Sequence, residues 1–340
     1  MSARTEPGSA QQSPSRGGSG TLPGSPNRTI TAPGKLFFAG EYGVLHGGTA
    51  VVAAVDRRVV ARFVPGAAPS TLVVAEAIGA VRAHCATTGA SLPDGAPEID
   101  SASLSDGGQK LGLGSSAAVA AAAVGVLLEA AGFDVTAERR LTFLLAERAH
   151  RAAQGGRGSG ADVAAAVMGG VLAYTRPEVG APTMRALVPP AELTPVVVST
   201  GTPSATVDHV AAVERLAARD PGAHARRLRE IRRAADAFLR SYESGDTRGL
   251  LQAVGAAHEA LGALGRDADL PIVTPALDAA AALARELGGA AKPSGAGGGD
   301  VGIAFFSDRD SAAAFQTRVL PLNLQILSII TGARGLGREA

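Results

Sequence analysis

The stretch QKLGLGSSAAVAAAAVGVLLEAAG, residues 109–132, decides how the rest of the chain is interpreted. It opens with a glycine–serine loop at residues 112–116 and runs at once into an alanine-rich segment at residues 117–131. Alanine has the highest helix propensity, serine is a favourable N-cap, and glycine commonly ends a helix. The pattern therefore predicts a loop with a serine N-cap, followed by a helix that stops at Gly132.

The predicted loop has the chemistry of an anion-binding site. Glycines let the backbone approach a ligand, and the first helical turn offers unpaired N–H groups at the positive end of the helix dipole. The hydroxyls of Ser115 and Ser116 could also bind the magnesium ion that accompanies a nucleotide phosphate. The loop is not a P-loop, because no lysine follows its glycines, and Ala117 breaks the dinucleotide-binding pattern. The alternative is a Gly–Ser loop that only caps a buried alanine helix.

The composition limits the classes of protein to consider. A chain of 340 residues is long enough for two domains, and its formal net charge of +1 gives no reason to expect nucleic acid as a partner. The single cysteine, Cys85, excludes an intramolecular disulfide framework and a cysteine-rich zinc site. We find neither an apolar run of membrane-spanning length nor a secretion signal, and residues 1–29 have the composition of a disordered tail. We therefore expect a cytoplasmic protein without a membrane partner, and leave open whether it is a monomer or a homodimer.

Lysine is rare in this chain. Of the 32 basic residues only Lys35, Lys110 and Lys292 are lysines, and all three lie in glycine-rich stretches. Lysine and arginine are not interchangeable where a compact charge with three donors is needed. The three positions are therefore candidate functional residues, with chance survival as the alternative.

Two more segments place charged residues next to predicted elements. Lys35 lies in a predicted strand at residues 35–39, and Glu41 follows in the next loop. Asp162 falls in the first turn of a predicted helix at residues 161–167, directly after a Gly-Ser-Gly turn. Function often concentrates where strands meet loops. The alternatives are a solvated charge for Glu41 and a helix-capping carboxylate for Asp162.

The remaining pattern alternates short strands with longer helices. Two apolar runs, residues 50–55 and 59–64, predict a hairpin that turns at residues 56–58. Further predicted helices cover residues 137–154, 207–219, 222–243, 247–264, 274–287 and 312–319. Further predicted strands cover residues 196–199, 301–306 and 323–329, the second of them preceded by a very glycine-rich loop.

Two glycine-rich loops, one acidic residue and three lysines are the components of a phosphoryl-transfer site, where positioning and charge stabilisation dominate catalysis. The chain resembles the GHMP kinase superfamily, which includes galactokinase, homoserine kinase, mevalonate kinase and phosphomevalonate kinase. Its three motifs resemble, in order, residues 33–42 (PGKLFFAGEY), 112–118 (GLGSSAA) and 292–300 (KPSGAGGGD). Lys110 and residues 149–166, 199–206 and 290–300 are most similar to the phosphomevalonate kinase branch, whereas residues 44–47 are as similar to mevalonate kinase.

The resemblance implies an α+β fold of two domains: a ribosomal-protein-like, ATP-binding domain at residues 30–190 and a ferredoxin-like domain at residues 191–340. It implies ATP and Mg²⁺ as cofactors, Lys35 and Asp162 as catalytic residues, and Ser116 with Glu147 as metal ligands, although Glu147 stands unusually far before Asp162. The residues implied to hold the nucleotide are Lys110, Gly112, Leu113, Gly114, Ser115, Ser116 and Ala117. The residues implied to bind the substrate are Glu41, Ser159, Gly160, Lys292, Ser294, Gly295, Ala296, Gly297 and Gly298.

The acceptor implied by these details is 5-phosphomevalonate, with mevalonate as the alternative. A hydroxyl acceptor must lose a proton, for which Asp162 would be the base, whereas a phosphate monoester is already ionised because its second pKa is about 6. A phosphate acceptor needs extra cations, and the candidates are Lys110, Arg57, Arg58, His150 and Arg157. A related ATP-dependent decarboxylase and a non-catalytic metabolite sensor are the remaining alternatives.

Overall fold

The computed structural model describes Met1, residues 29–202 and residues 206–339, and for Thr206 and Val207 the backbone alone. The disordered tail expected at residues 1–29 lies outside the described residues, apart from its two ends.

The described part of the chain contains both helices and strands, and four consecutive helices, α5 to α8, cover residues 206–286. The strands are β1 (Thr29–Ala39), β2 (Thr49–Pro65), β3 (Gly95–Asp100), β4 (Ser105–Asp106), β5 (Gln109–Lys110), β6 (Val171–Thr175), β7 (Thr183–Leu187), β8 (Thr194–Ser199), β9 (Ala290–Pro293), β10 (Val301–Phe306), β11 (Gln325–Leu327) and β12 (Gly337–Arg338). The α-helices are α1 (Leu72–Thr88), α2 (Ser115–Ala130), α3 (Arg139–Ala153), α4 (Ala161–Met168), α5 (Thr206–Arg219), α6 (Pro221–Ser244), α7 (Thr247–Asp267), α8 (Pro275–Glu286) and α9 (Arg309–Arg318).

The first half of the chain builds one antiparallel sheet around the alanine-rich helix. Its strand order is β12-β1-β2-β6-β7, with β3 paired to the far end of β2. Helix α2 packs on β1 and β2 and is flanked by α1, α3 and α4, so that its side chains from Ala120 to Leu128 are buried on all sides. Alanine permits this close approach because it adds almost no side-chain bulk. The glycine-containing loop at residues 112–114 is therefore held at the N-terminal end of a buried central helix.

One sequence-based prediction for this sheet is wrong. Residues 56–58 do not turn: β2 continues through them as a single strand of 17 residues. The polar residues are accommodated because the strand meets the C-terminal segment here. Ile330 donates its backbone N–H to the Asp56 carboxylate at 3.0 Å, and Arg58 donates to the carbonyls of Arg334 and Gly335 at 2.8 and 2.9 Å.

The second sheet lies in the other half of the chain, in the antiparallel order β11-β8-β10-β9. Helices α7, α8 and α9 pack against it, α6 and α7 also pack on each other, and α6 reaches β1 and β2. Residues 290–293, predicted as loop, form strand β9 because they pair with the fully buried β10. The last helix begins at Arg309, three residues earlier than predicted, since Asp308 caps it through a 2.7 Å bond from the Ser311 amide. The mixed two-sheet architecture agrees with the α+β fold class, and the division at residues 190 and 191 stays a prediction.

The end of the chain returns to the first sheet. Strand β12 pairs with β1, and Leu336 packs where Gly125 leaves room on α2: a Cβ at Gly125 would lie 2.9 Å from Leu336. Arg338 donates to the carboxylate of Glu129 at 2.7 Å, near the C-terminal end of α2. The final segment is therefore part of the core around α2. No α-helix in the described ranges is both long enough and apolar enough to cross a membrane.

We predict that Arg338→Ala lowers the free energy of unfolding by about 2 kcal/mol, because the Glu129 side chain is only 2 % exposed and loses its charged partner. The matched control is Arg318→Ala, since the Arg318–Glu286 pair is half-exposed and exposed pairs contribute about 0.5 kcal/mol or less. Urea denaturation measures both. Equal effects of the two substitutions would contradict a structural role for the terminal strand.

Candidate active site

A cavity of about 520 Å³ brings the three glycine-containing motifs together. It opens between the end of β1, the start of α2, the start of α4 and the loop between β9 and β10. The predicted site residues that line it are Lys35, Glu41, Lys110, Gly112, Gly114, Ser115, Ser116, Ala117, Ser159, Asp162, Gly295 and Ala296. Segments separated by more than 250 residues in the sequence therefore surround a single space.

The loop before α2 has the geometry expected for phosphate binding, with one correction. The N-cap of α2 is Gly114, in the left-handed conformation at φ 75°, and not a serine. Ser115 and Ser116 form the first helical turn and line the cavity, so their hydroxyls are not used as caps. Leu113 is buried in the core and does not line the cavity. The unpaired amides and the positive end of the α2 dipole thus face the cavity, where they can bind an anion.

Lys35 lies beside this loop. Its ammonium donates to the Gly112 carbonyl at 3.2 Å, and a Cβ on Gly114 would lie 2.9 Å from the lysine side chain. Burial lowers the pKa of Lys35 below its ordinary value of 10.5, whereas the carboxylates of Asp162 and Asp300 act in the opposite direction. A desolvated ammonium next to phosphate-binding amides can stabilise charge on a transferring phosphoryl group.

Asp162 occupies the first turn of α4 and lines the cavity. One carboxylate oxygen accepts the Val163 amide at 2.9 Å, and the other lies 3.9 Å from Nδ1 of the buried His150. Nε2 of His150 lies 3.0 Å from Nε2 of Gln154. The carboxylate is therefore held by its own helix on one side and faces an imidazole on the other.

Glu147 is the clearest departure from the predicted site. It does not line the cavity, and its carboxylate pairs with Arg176 at 2.6 Å and with Arg151 at 3.6 Å. Within the described ranges no group of three or more His, Cys, Asp or Glu side chains is arranged to hold a metal ion. The Glu147 carboxylate is therefore paired with two guanidinium groups, and its role as a metal ligand stays a prediction that this geometry does not favour.

Arg176 and Glu147 instead support the turn at Ser159 and Gly160. Arg176 and Tyr174 both donate to the Ser159 carbonyl, at 3.1 and 2.7 Å, and burial raises the pKa of Tyr174 to about 12. Gly160 packs on the Glu147 side chain and does not line the cavity. This network holds the turn that places Ser159 and Asp162 at the cavity wall.

The glycine-rich loop after β9 contributes only part of its predicted residues. Gly295 and Ala296 line the cavity, and their N–H groups have no acceptor in the described part of the protein, so they are available to an anion. Gly297 packs against Ile272, and neither it nor Gly298 lines the cavity.

Lys292 and Ser294 make internal structural contacts and do not line the cavity. Lys292 is fully buried, forms an ion pair with Glu41 and donates to the Pro293 carbonyl at 2.9 Å. Ser294 donates to the Phe37 carbonyl at 3.1 Å and accepts the Phe37 amide at 2.9 Å. These contacts join the first motif to the third, and substrate binding by Lys292 and Ser294 stays a prediction that this geometry does not favour.

The candidate cations for an acceptor phosphate also divide into two groups. Lys110 and His150 line the cavity. Arg57 does not line it, Arg58 faces the C-terminal segment, and Arg157 lies 3.4 Å from Glu214 on the surface. The sequence alone could not separate these residues, because their positions depend on long-range packing.

Several residues of the cavity wall are absent from the predicted site, among them Asp300 and Tyr42. Asp300 faces Gly112, where a Cβ would lie 2.6 Å from the aspartate Cβ, and it has a left-handed φ of 51°. Tyr42 lines the cavity and donates to the Ala296 carbonyl at 2.6 Å. Both residues lie inside the first and third motifs, so the motif sequences could have identified them as site residues.

The models of the GHMP kinase N-terminal and C-terminal domains match residues 73–170 and 234–322 of the chain. A phosphomevalonate kinase from Streptomyces sp. (strain CL190) is 33 % identical over 365 aligned positions, which cover 87 % of this chain and 97 % of that protein. The chain belongs to the GHMP kinase family. It is therefore a phosphotransferase, as the arrangement of phosphate loop, lysine and carboxylates indicates.

Two solved structures are similar to this one over almost their whole length. A Lin0012 protein from Listeria innocua gives a TM-score of 0.83 at 26 % identity, covering 92 % of this chain and 99 % of that chain. Phosphomevalonate kinase from Streptococcus pneumoniae, in complex with phosphomevalonate and AMPPNP, gives a TM-score of 0.78 at 22 % identity, covering 89 % and 99 %. The predicted superfamily and fold class are thus confirmed.

We predict that Gly114→Ala weakens ADP binding at least about 10-fold, because the added Cβ strains the left-handed N-cap and meets the Lys35 side chain at 2.9 Å. The control is Gly132→Ala at the other end of the same helix, where φ is 91° and no atom lies within 4 Å. Isothermal titration with ADP and thermal unfolding distinguish the two. Similar losses of ADP affinity in both variants would contradict a specific role for the loop.

We also predict that Lys292→Met lowers the free energy of unfolding by about 3–5 kcal/mol, because the Glu41 side chain, 3 % exposed, loses its buried partner. Adding Glu41→Gln should recover most of this loss, since the second substitution removes the buried charge. Guanidinium denaturation of the two variants measures the difference. A double variant no more stable than Lys292→Met would show that the pair does not act as a unit.

Proposed function

We propose that the chain transfers the γ-phosphoryl group of ATP to 5-phosphomevalonate, giving 5-diphosphomevalonate and ADP. The observation that carries the proposal is the single cavity in which Lys35, the amides before α2 and the amides of Gly295 and Ala296 face one another. This arrangement can bind two phosphate groups on either side of one lysine. The 33 % identical phosphomevalonate kinase, aligned over almost its whole length, supports the same acceptor.

Magnesium fits the chemistry of this cavity as a companion of the nucleotide. Mg²⁺ prefers oxygen ligands and is usually held by a few protein groups together with substrate phosphates. The hydroxyls of Ser115 and Ser116 line the cavity beside the phosphate-binding amides, and Ser116 is the protein ligand we infer. The ion would neutralise charge between ATP and the nearby carboxylates of Asp162 and Asp300.

With a phosphate acceptor, Asp162 has a role other than that of a general base. The acceptor oxygen attacks the γ-phosphorus, the bond to the bridging oxygen breaks, and ADP leaves with that oxygen. No proton has to be removed, because the attacking phosphate oxygen is ionised at neutral pH. Asp162 then orients Lys35 and the acceptor, while Lys110 and His150 are the cations at the cavity wall that could face the acceptor phosphate.

Mevalonate is the second candidate acceptor, because Asp162 lies in the same cavity as Lys35 and could accept a hydroxyl proton. A decarboxylase would instead release CO₂. A metabolite sensor would bind ATP without turnover. The presence of Lys35, Asp162 and both serines does not favour this alternative.

A cytoplasmic location and the choice between monomer and homodimer stay predictions from the sequence.

The experiment is ADP release by the purified full chain with Mg-ATP and either acceptor. We expect turnover with 5-phosphomevalonate and none above background with mevalonate.

We further expect Asp162→Asn to lower kcat by less than about 10-fold, since a general base contributes roughly 100- to 10,000-fold where it is required. The control is Asp236→Asn, an exposed residue of α6. Turnover with mevalonate alone, or complete loss of kcat in Asp162→Asn with ADP binding intact, would contradict the proposal.

A further inference from the structure

The carbonyl of Ala296 is held by two side chains from distant parts of the chain. The Tyr42 hydroxyl donates to it at 2.6 Å, and Nδ1 of His209 lies 3.1 Å from it. Because a carbonyl oxygen can only accept, the His209 ring must carry a proton on Nδ1. Tyr42 belongs to the first motif, His209 to α5, and Ala296 to the third motif.

The loop that contains Ala296 cannot hold its shape by its own conformational preferences. Gly295, Gly297, Gly298, Gly299 and Asp300 all have left-handed φ values between 51° and 131°. Glycine-rich backbone loses much conformational freedom on ordering, so such a loop needs external contacts to keep one conformation. The contacts on the Ala296 carbonyl therefore help to hold the loop in one conformation.

His209 also restricts the loop by packing. A Cβ on Gly298 would overlap the His209 ring, so the glycine backbone lies directly against the imidazole. The Gly298 amide donates to the Ile272 carbonyl at 2.9 Å, which fixes the next peptide of the loop. Both His209 and Tyr42 are buried, at 9 % and 5 % exposure, so their own positions are set by the surrounding helices.

These contacts control the charge that the loop presents to phosphate. The Ala296 carbonyl carries partial negative charge, and two protein donors, Tyr42 and His209, contact it. The amides of Gly295 and Ala296, which line the cavity, are left available to bind an anion. Without the donors, the carbonyl could turn toward the phosphates and repel them. The loop also reaches the site of transfer, because a Cβ on Gly295 would lie 3.7 Å from the Lys35 ammonium.

We propose that Tyr42 and His209 are positioning residues that set the affinity for the acceptor phosphate and the rate of transfer by holding the Ala296 carbonyl. The proposal rests on the proposed function, because it assigns a task to the same cavity. Neither residue belongs to the loop before α2, where ADP is predicted to bind, and both contact the third motif through the Ala296 carbonyl. ADP binding should therefore be insensitive to them, while acceptor use should not.

The chain permits a matched pair of substitutions at His209. In asparagine the amide nitrogen stands the same number of bonds from Cα as Nδ1, so His209→Asn can keep the donor to Ala296. In glutamine the amide stands where Nε2 was, so His209→Gln loses it. Tyr42→Phe removes only the other donor, and Tyr242→Phe is its control, a buried tyrosine of α6 without a contact to this loop.

The experiment measures kcat and KM for both substrates, ADP affinity by titration, and thermal unfolding of each variant. We expect Tyr42→Phe and His209→Gln each to lower kcat/KM for the acceptor roughly 3- to 10-fold, the scale of one hydrogen bond, with ADP affinity within 2-fold. We expect His209→Asn and Tyr242→Phe to behave like the unchanged protein. The double variant Tyr42→Phe/His209→Gln should lose more than the product of the single losses, because either donor alone still satisfies the carbonyl.

Equal effects of His209→Asn and His209→Gln, or a parallel loss of ADP affinity in all variants, would overturn the proposal. The unchanged protein is assayed with 5-phosphomevalonate and with mevalonate in the same series. If it uses only mevalonate, the proposed acceptor is wrong and the His209 comparison is made with mevalonate, where the same ordering of variants still tests the positioning role.

Discussion

The buried ion pair between Lys292 and Glu41 is the interaction on which the arrangement of the active site depends. It joins strand β9, near the end of the chain, to the residues that follow β1, near its beginning. Two charges removed from water are stable only when they meet each other and further polar partners. Lys292 also bonds to the Pro293 carbonyl, and Ser294 exchanges two hydrogen bonds with Phe37. The first and third motifs therefore cannot separate without exposing this pair.

The cavity follows from that constraint together with the buried helix α2. Helix α2 packs on β1 and β2 of the first sheet. The loop before this helix and the loop after β9 lie on either side of Lys35. Each wall supplies backbone amides, which act as fixed dipoles and need no reorganisation when charge moves during transfer. The side chains behind the walls, among them Glu147, Arg176 and Tyr174, hold the turns in place. Catalysis in this family of reactions requires such positioning more than it requires covalent chemistry.

The parts of the site that are local in sequence could be predicted, and the parts that depend on tertiary packing could not. The loop and helix at residues 112–130 follow from glycine, serine and alanine propensities, Lys35 follows from the first motif, and Asp162 follows from its place in the first turn of a predicted helix. By contrast, the burial of Lys292 and the capture of Glu147 by Arg176 depend on partners more than 25 residues away. The expected turn at residues 56–58 is absent because the C-terminal segment satisfies the polar groups of Asp56 and Arg58. His209 carries no local signal, since only the fold brings it to Ala296.

The central claim is that the acceptor oxygen belongs to a phosphate. Phosphorus NMR of the product formed from ATP and 5-phosphomevalonate tests it most directly, because it reports the new bond and not only the consumption of ATP. We expect the acceptor monoester resonance to disappear and two mutually coupled resonances of a diphosphate to replace it, beside those of ADP. A new uncoupled monoester resonance, with the original one retained, would show transfer to a hydroxyl and would contradict the account.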